Sequence, residues 1–113
     1  MSSLPISKKG KTVTEVIEET VKMSGDILLS RFYQEKTIKT KGPKDIVTDV
    51  DIEIEKLIFE QLTNHYPEMS MIGEESFTGE MPSGFVWVVD PIDGTRNFAA
   101  GIPIFSIVVA LSY

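Results

Sequence analysis

The sequence has no cysteine. That excludes disulfides, thiolate metal sites and a cysteine nucleophile, and it suits a reducing compartment. Its one histidine, His65, leaves nothing from which to build a zinc centre. No apolar run approaches the roughly 18–20 residues that cross a bilayer. The opening MSSLPISKKGK has no apolar stretch behind its lysines and does not read as a secretory signal. There is no internal repeat, no low-complexity tract and no basic face suited to nucleic acid. The expectation is a cytoplasmic protein with neither membrane nor nucleic acid as partner.

What is present is ordinary for a globular domain: 113 residues, 42% hydrophobic and 25% charged. The net charge of −6 hides a split. Residues 1–44 carry nine Lys/Arg against five Asp/Glu, whereas residues 45–113 carry two against twelve. An acidic surface is usually just solvated. Its alternative is that some carboxylates converge on a hard cation such as Mg²⁺ or Ca²⁺.

Residues 1–11 are polar, with a proline and a glycine, and are expected to be flexible. From Thr12 to Tyr33 apolar residues recur every three to four positions, and Thr12 with Glu15 forms a capping-box pattern, so a helix is predicted. Thr37–Lys41 alternates like a short strand before the Gly42-Pro43 break. A second helix is predicted from about Asp49 to His65, stopped by Pro67. Three strand-like runs follow: Met69–Gly73, Phe85–Val89 and Ile104–Tyr113. Helices first and strands after make an α+β pattern rather than a doubly wound sheet.

The informative acidic residues stand at element boundaries, where rigid scaffold gives way to loop. Glu74 follows the first of the three runs, Asp90 and Asp93 follow the second, and Asp51 opens the second helix. In Asp90-Pro91-Ile92-Asp93-Gly94-Thr95 two carboxylates flank a proline turn. Carboxylates that close repel unless a cation lies between them. Gly94 permits a backbone that other residues avoid, and Thr95 stands where a helix N-terminus would favour a phosphate oxygen. Asp-Pro and Asp-Gly are also common turn dipeptides. Thr48-x-x-Asp51 is equally a capping box, so a structural role is the default for Asp51. Glu75 and Asp49 read as solvated neighbours, His65 as a helix-end residue, and Phe85 and Trp87 as strand core.

The run Trp87-Val88-Val89-Asp90-Pro91-Ile92-Asp93-Gly94-Thr95-Arg96-Asn97-Phe98 resembles the signature of the inositol monophosphatase family. Gly73-Glu74-Glu75-Ser76 resembles that family's Gly-Glu-Glu-Ser segment, and Asp45-Ile46-Val47-Thr48-Asp49-Val50-Asp51 its earlier Asp-x-Val-Thr-x-x-Asp segment. The resemblance implies a Mg²⁺-dependent, lithium-sensitive phosphomonoesterase with two to three ions per site. Glu74, Asp90 and the carbonyl of Ile92 would hold one Mg²⁺. Asp90 and Asp93 would hold part of a second, and Glu74 would reach a third. Glu74 and Thr95 would activate water, with Asp51 accepting from the Thr95 hydroxyl. The N–H groups of Gly94 and Thr95 would receive the phosphate. The implied fold is two helices packed on an antiparallel sheet, the N-terminal portion of a layered sugar-phosphatase fold.

Members of that family are roughly twice this length, and their C-terminal domain completes the second metal site. Residues 12–113 are therefore expected to be an N-terminal metal-binding domain, inactive or nearly so alone. Many members also carry a polar or basic residue where Ala100 stands here. The expected substrate is a small phosphate monoester, inositol monophosphate first, with fructose 1,6-bisphosphate or phosphoadenosine phosphate as alternatives, and the expected assembly is a homodimer. A reading of another class is a non-catalytic fragment or regulatory paralogue that acts by pairing with another chain.

Overall fold

The computed structural model describes residues 4–42, 45–73 and 83–113. Both long helices begin at capping boxes. In α1 (Val13–Phe32) the Thr12 hydroxyl accepts from the Glu15 N–H while the Glu15 carboxylate accepts from the Thr12 N–H. In α2 (Asp49–His65) Thr48 and Asp51 make the same exchange. These reciprocal bonds satisfy N–H groups that a helix start cannot pair internally. Val50, Ile54, Ile58 and Leu62 fall four apart on α2 and are fully buried, against Val13, Val16 and Leu28 of α1 and Trp87 and Val89 from the sheet.

Ahead of α2, β1 (Ile38–Gly42) pairs antiparallel with β2 (Asp45–Thr48). The sequence reading did not include β2: a four-residue strand with two apolar residues carries no period to detect. The second sheet has the order β3-β4-β5, from β3 (Ser70–Gly73), β4 (Val86–Asp93) and β5 (Ser106–Ser112). A short α3 (Thr95–Ala99) lies between β4 and β5. The α+β class stands, with one difference inside the sheet. β5 is antiparallel to β4, but β3 is parallel to it, with Gly73 opposite Val89. Parallel neighbours need a connection of about a dozen residues, and residues 74–85 supply that length.

Residues 4–11, expected to be flexible, are tied to the far end of α2. The Lys8 N–H donates to the His65 carbonyl at 2.8 Å and the Tyr66 hydroxyl donates to the Pro5 carbonyl at 2.8 Å. Ser7 Oγ lies 3.2 Å from His65 Nδ1, and both residues are buried. His65 is thus the helix-end residue expected, with burial holding its pKa below 6.5, helped by nearby Lys9 and Lys11 and opposed by Glu19. No helix among the described residues is long and apolar enough to cross a membrane.

Candidate active site

Asp90 and Asp93 are three residues apart, which in a regular strand would aim them to opposite faces. The register of β4 against β5 changes between them: Asp90 pairs with Val108 and Asp93 with Ser106. Three steps along β4 thus match two along β5, so β4 carries one extra residue, a bulge around Pro91 and Ile92. The bulge turns a spacing of three into an effective two. Both carboxylates then share the sheet face of Val88, Val108 and Ala110, turned away from the helices, while Trp87, Val89 and Ile92 point into the core. Asp93 is exposed and its Oδ2 accepts a long bond from Ser106 Oγ at 3.4 Å. Asp90 is half-buried.

Asp51 holds the helix side of the site. It is 1% exposed, and its two oxygens serve different partners. Oδ2 accepts from the Thr48 N–H at 2.8 Å and from Thr48 Oγ1 at 2.5 Å. Oδ1 accepts from Thr95 Oγ1 at 2.9 Å. Asp51 therefore caps α2 and also reaches the first residue of α3. Thr95 Oγ1 lies 3.0 Å from the Ile92 carbonyl as well. A hydroxyl has one proton and two lone pairs, so donation to either acceptor leaves Thr95 able to accept from a third group.

Gly94 joins the bulge to α3 and is required twice over. Its φ of +91° lies in the left-handed region. A Cβ there would sit 2.9 Å from the Ile104 carbonyl oxygen and 3.3 Å from Phe105 Cα. The same Ile104 carbonyl accepts from Asn97 Nδ2 at 2.9 Å, which fixes the α3 turn against the approach to β5. Beyond Gly94, the first N–H groups of α3 have no acceptor inside the helix.

The structure thus brings Asp51, Ile92, Gly94 and Thr95 together and puts Asp90 and Asp93 on one face. Glu74, along with Glu75 and Ser76, lies outside the described residues. Among the described residues no group of three or more His, Cys, Asp or Glu side chains is gathered to hold a metal. The donor chemistry nevertheless suits Mg²⁺: carboxylates at 90 and 93, a main-chain carbonyl at 92, and no sulfur or imidazole among them. Asp49, read as a solvated neighbour, instead works as a strut. Its Oδ2 accepts from Arg31 at 2.6 Å and its Oδ1 from the Thr37 N–H at 2.9 Å. Desolvation raises its pKa, but the Thr37 and Arg31 bonds outweigh that and hold it below 3.8. Sequence reasoning missed Ser106, whose hydroxyl donates to Asp93 from the facing strand.

A model of the inositol monophosphatase family matches residues 9–113. Inositol monophosphatase 2 of Solanum lycopersicum is 37% identical over 103 residues, covering 87% of this chain and 39% of that protein. The inositol monophosphatase of Dictyostelium discoideum is 40% identical over 101 residues, covering 83% and 36%. The chain therefore spans under two fifths of the length of these relatives. Among solved structures, the extragenic suppressor protein suhB from Bartonella henselae superposes with a TM-score of 0.81 at 33% identity, over 88% of this chain and 40% of that one. An IMPase/NADP phosphatase complexed with Mg²⁺ and phosphate superposes at 0.77 with 28% identity, over 89% and 39%. A Staphylococcal inositol monophosphatase-1 in a LiCl-soaked inhibitory complex superposes at 0.78 with 25% identity, over 89% and 39%.

Proposed function

The chain belongs to the inositol monophosphatase family, and on that premise we propose that it carries the metal- and phosphate-binding part of a Mg²⁺-dependent phosphomonoesterase. The observation that carries the reading is the β4 bulge, which puts Asp90 and Asp93 on one sheet face just ahead of Thr95, whose hydroxyl bonds to Asp51. Glu74, Asp90 and the Ile92 carbonyl would hold one Mg²⁺, Asp90 and Asp93 part of a second, and Glu74 would reach a third. A Mg²⁺ held there would neutralise phosphate charge, lower the pKa of a bound water and stabilise charge on the leaving oxygen.

The chain's own residues have separate tasks. Asp51 Oδ1 takes the Thr95 hydroxyl proton in a hydrogen bond, and a Thr95 Oγ1 lone pair then accepts from the attacking water. Glu74 would help activate the same water. The water oxygen bonds to phosphorus as the ester P–O bond breaks; one water proton ends on the leaving alcohol and the remaining O–H stays with the phosphate. Gly94 and Thr95 present their N–H groups to the phosphate oxygens, a use of a helix start that favours anions.

The substrate class we favour is inositol monophosphate, as the names of the tomato and slime-mould relatives suggest. Fructose 1,6-bisphosphate is the alternative, since an Aquifex aeolicus relative is named fructose-1,6-bisphosphatase/inositol-1-monophosphatase. Lithium inhibition, a homodimer and a cytoplasmic location belong to the same proposal. The test is a chimera of residues 1–113 with the C-terminal part of the tomato relative. It should release phosphate from inositol monophosphate with Mg²⁺, be inhibited by Li⁺, and lose turnover but not stability with Asp93→Asn. The 113-residue chain alone should turn over poorly. A folded chimera that is inactive, or an Asp93→Asn form at full rate, sinks the reading.

A further inference from the structure

Glu55 belongs to none of the motifs and has no task in the chemistry above. It lies on α2 one turn after Asp51, on the same face, and is 8% exposed. Carboxylates are seldom so buried, because losing water costs several kcal/mol unless donors replace it. Its carboxylate sits against the main chain of Gly73. A Cβ placed on Gly73 would lie 2.6 Å from Glu55 Cδ and Oε2 and 2.8 Å from Oε1. Gly73 is not among the glycines with positive φ. Its backbone is one any residue adopts, so what a Cβ there would disturb is the Glu55 carboxylate, which would have to move aside. Gly73 ends β3 and pairs with Val89, the residue just before Asp90 in β4.

We propose that Glu55 is a positioning residue for the metal-binding carboxylates. It pins the carboxyl end of β3 to α2 and so steadies the neighbouring stretch of β4 that leads into Asp90. A strand residue without a Cβ allows a carboxylate its closest approach to the backbone. The seat itself is anchored, since the Thr48–Asp51 box holds the start of α2 one turn away. This inference rests on the metal reading given above.

The test uses Mn²⁺ as the probe, its binding to the 113-residue chain followed by electron paramagnetic resonance, with a thermal melt of each variant. Glu55→Ala should weaken Mn²⁺ binding by about tenfold or more, the usual effect of removing a group that orients a metal ligand. Glu55→Gln keeps an acceptor oxygen and should fall between wild type and Glu55→Ala. If Glu55→Ala does not fold, Glu55→Gln decides alone: weaker binding supports the role and unchanged binding overturns it. In a second arm Gly73→Ala, whose Cβ would displace the Glu55 carboxylate, should weaken Mn²⁺ binding, and by less once Glu55→Ala has removed that carboxylate. Overturning results are wild-type affinity in Glu55→Ala, or a Gly73→Ala penalty that is the same with and without Glu55. A wild-type chain that binds no Mn²⁺ would sink the metal reading and this role together, whereas wild-type binding unaffected by the Glu55 variants sinks this role only.

Discussion

Replacing Asp51 by alanine and by asparagine separates its two sets of bonds. Alanine removes the acceptor for three donors: the Thr48 N–H, Thr48 Oγ1 and Thr95 Oγ1. Thr95 has a second acceptor in the Ile92 carbonyl at 3.0 Å and can turn to it. Thr48 is 1% exposed, so water cannot readily replace what its two donors lose. At about 1–3 kcal/mol for each of the two buried donors left unmade, Asp51→Ala should cost about 2–6 kcal/mol. Asparagine keeps one oxygen for both Thr48 donors. Its NH₂ then faces Thr95 Oγ1, and the Thr95 proton turns to Ile92. Every donor keeps an acceptor and only the charge assistance is lost, about 1 kcal/mol.

Urea denaturation of the three proteins measures this directly, and the two variants should differ by at least about 1 kcal/mol. The same substitution reverses the Thr95 hydroxyl. An amide donating into Oγ1 takes one of its two lone pairs and removes the carboxylate charge that made this oxygen a better acceptor for the attacking water. In the chimera, phosphate release by Asp51→Asn should therefore fall by about a hundredfold or more despite the small stability change. Two results would refute the reasoning. One is an asparagine variant no more stable than the alanine variant. The other is an asparagine variant that turns over at the wild-type rate.

Two further predictions concern stability. Gly94→Ala should destabilise by about 2–4 kcal/mol, because a left-handed φ costs about 1–2 kcal/mol and the Cβ also meets the Ile104 carbonyl. Gly101→Ala is the internal comparison: its φ is +77° but a Cβ there meets nothing within 4 Å, so only the conformational cost should appear. Equal losses from the two would mean that the Ile104 contact is not tight. For His65, the folded pKa is depressed by burial, so below 6.5 the unfolded chain binds the proton first. Its stabilisation is complete above 6.5 and is lost as pH falls through the folded value. His65→Gln should flatten the dependence of stability on pH on the acid side of 6.5, and an unchanged slope in denaturation curves would rule the argument out.

The parts of this fold that could be read from sequence are those whose partners are three or four residues apart. Thr12 with Glu15 and Thr48 with Asp51 each declare a helix start through a local exchange of hydrogen bonds, and the structure starts both helices there. The short β2 and the parallel pairing of β3 with β4 could not be read this way, since one has too few residues for a period and the other depends on how a 12-residue connection returns. The ties from Ser7 to His65 and from Glu55 to Gly73 join residues 58 and 18 apart, and no pattern within one element encodes them.

Asp90 and Asp93 lie between these cases. Their spacing of three is wrong for one face of a regular strand, and a proline between them already argues against a regular strand. A bulge at Pro91 and Ile92 resolves both facts at once. Taken by itself, then, the spacing signals an irregular strand, and it becomes a sign of paired carboxylates only when β5 supplies the register. Thr95 and Asp51 are the opposite case. They are 44 residues apart, and the bond between them was anticipated only through the family resemblance. Local chemistry proposed a cap for Asp51 and the resemblance proposed a partner for Thr95. One side chain accommodates both because its two carboxylate oxygens point to different elements.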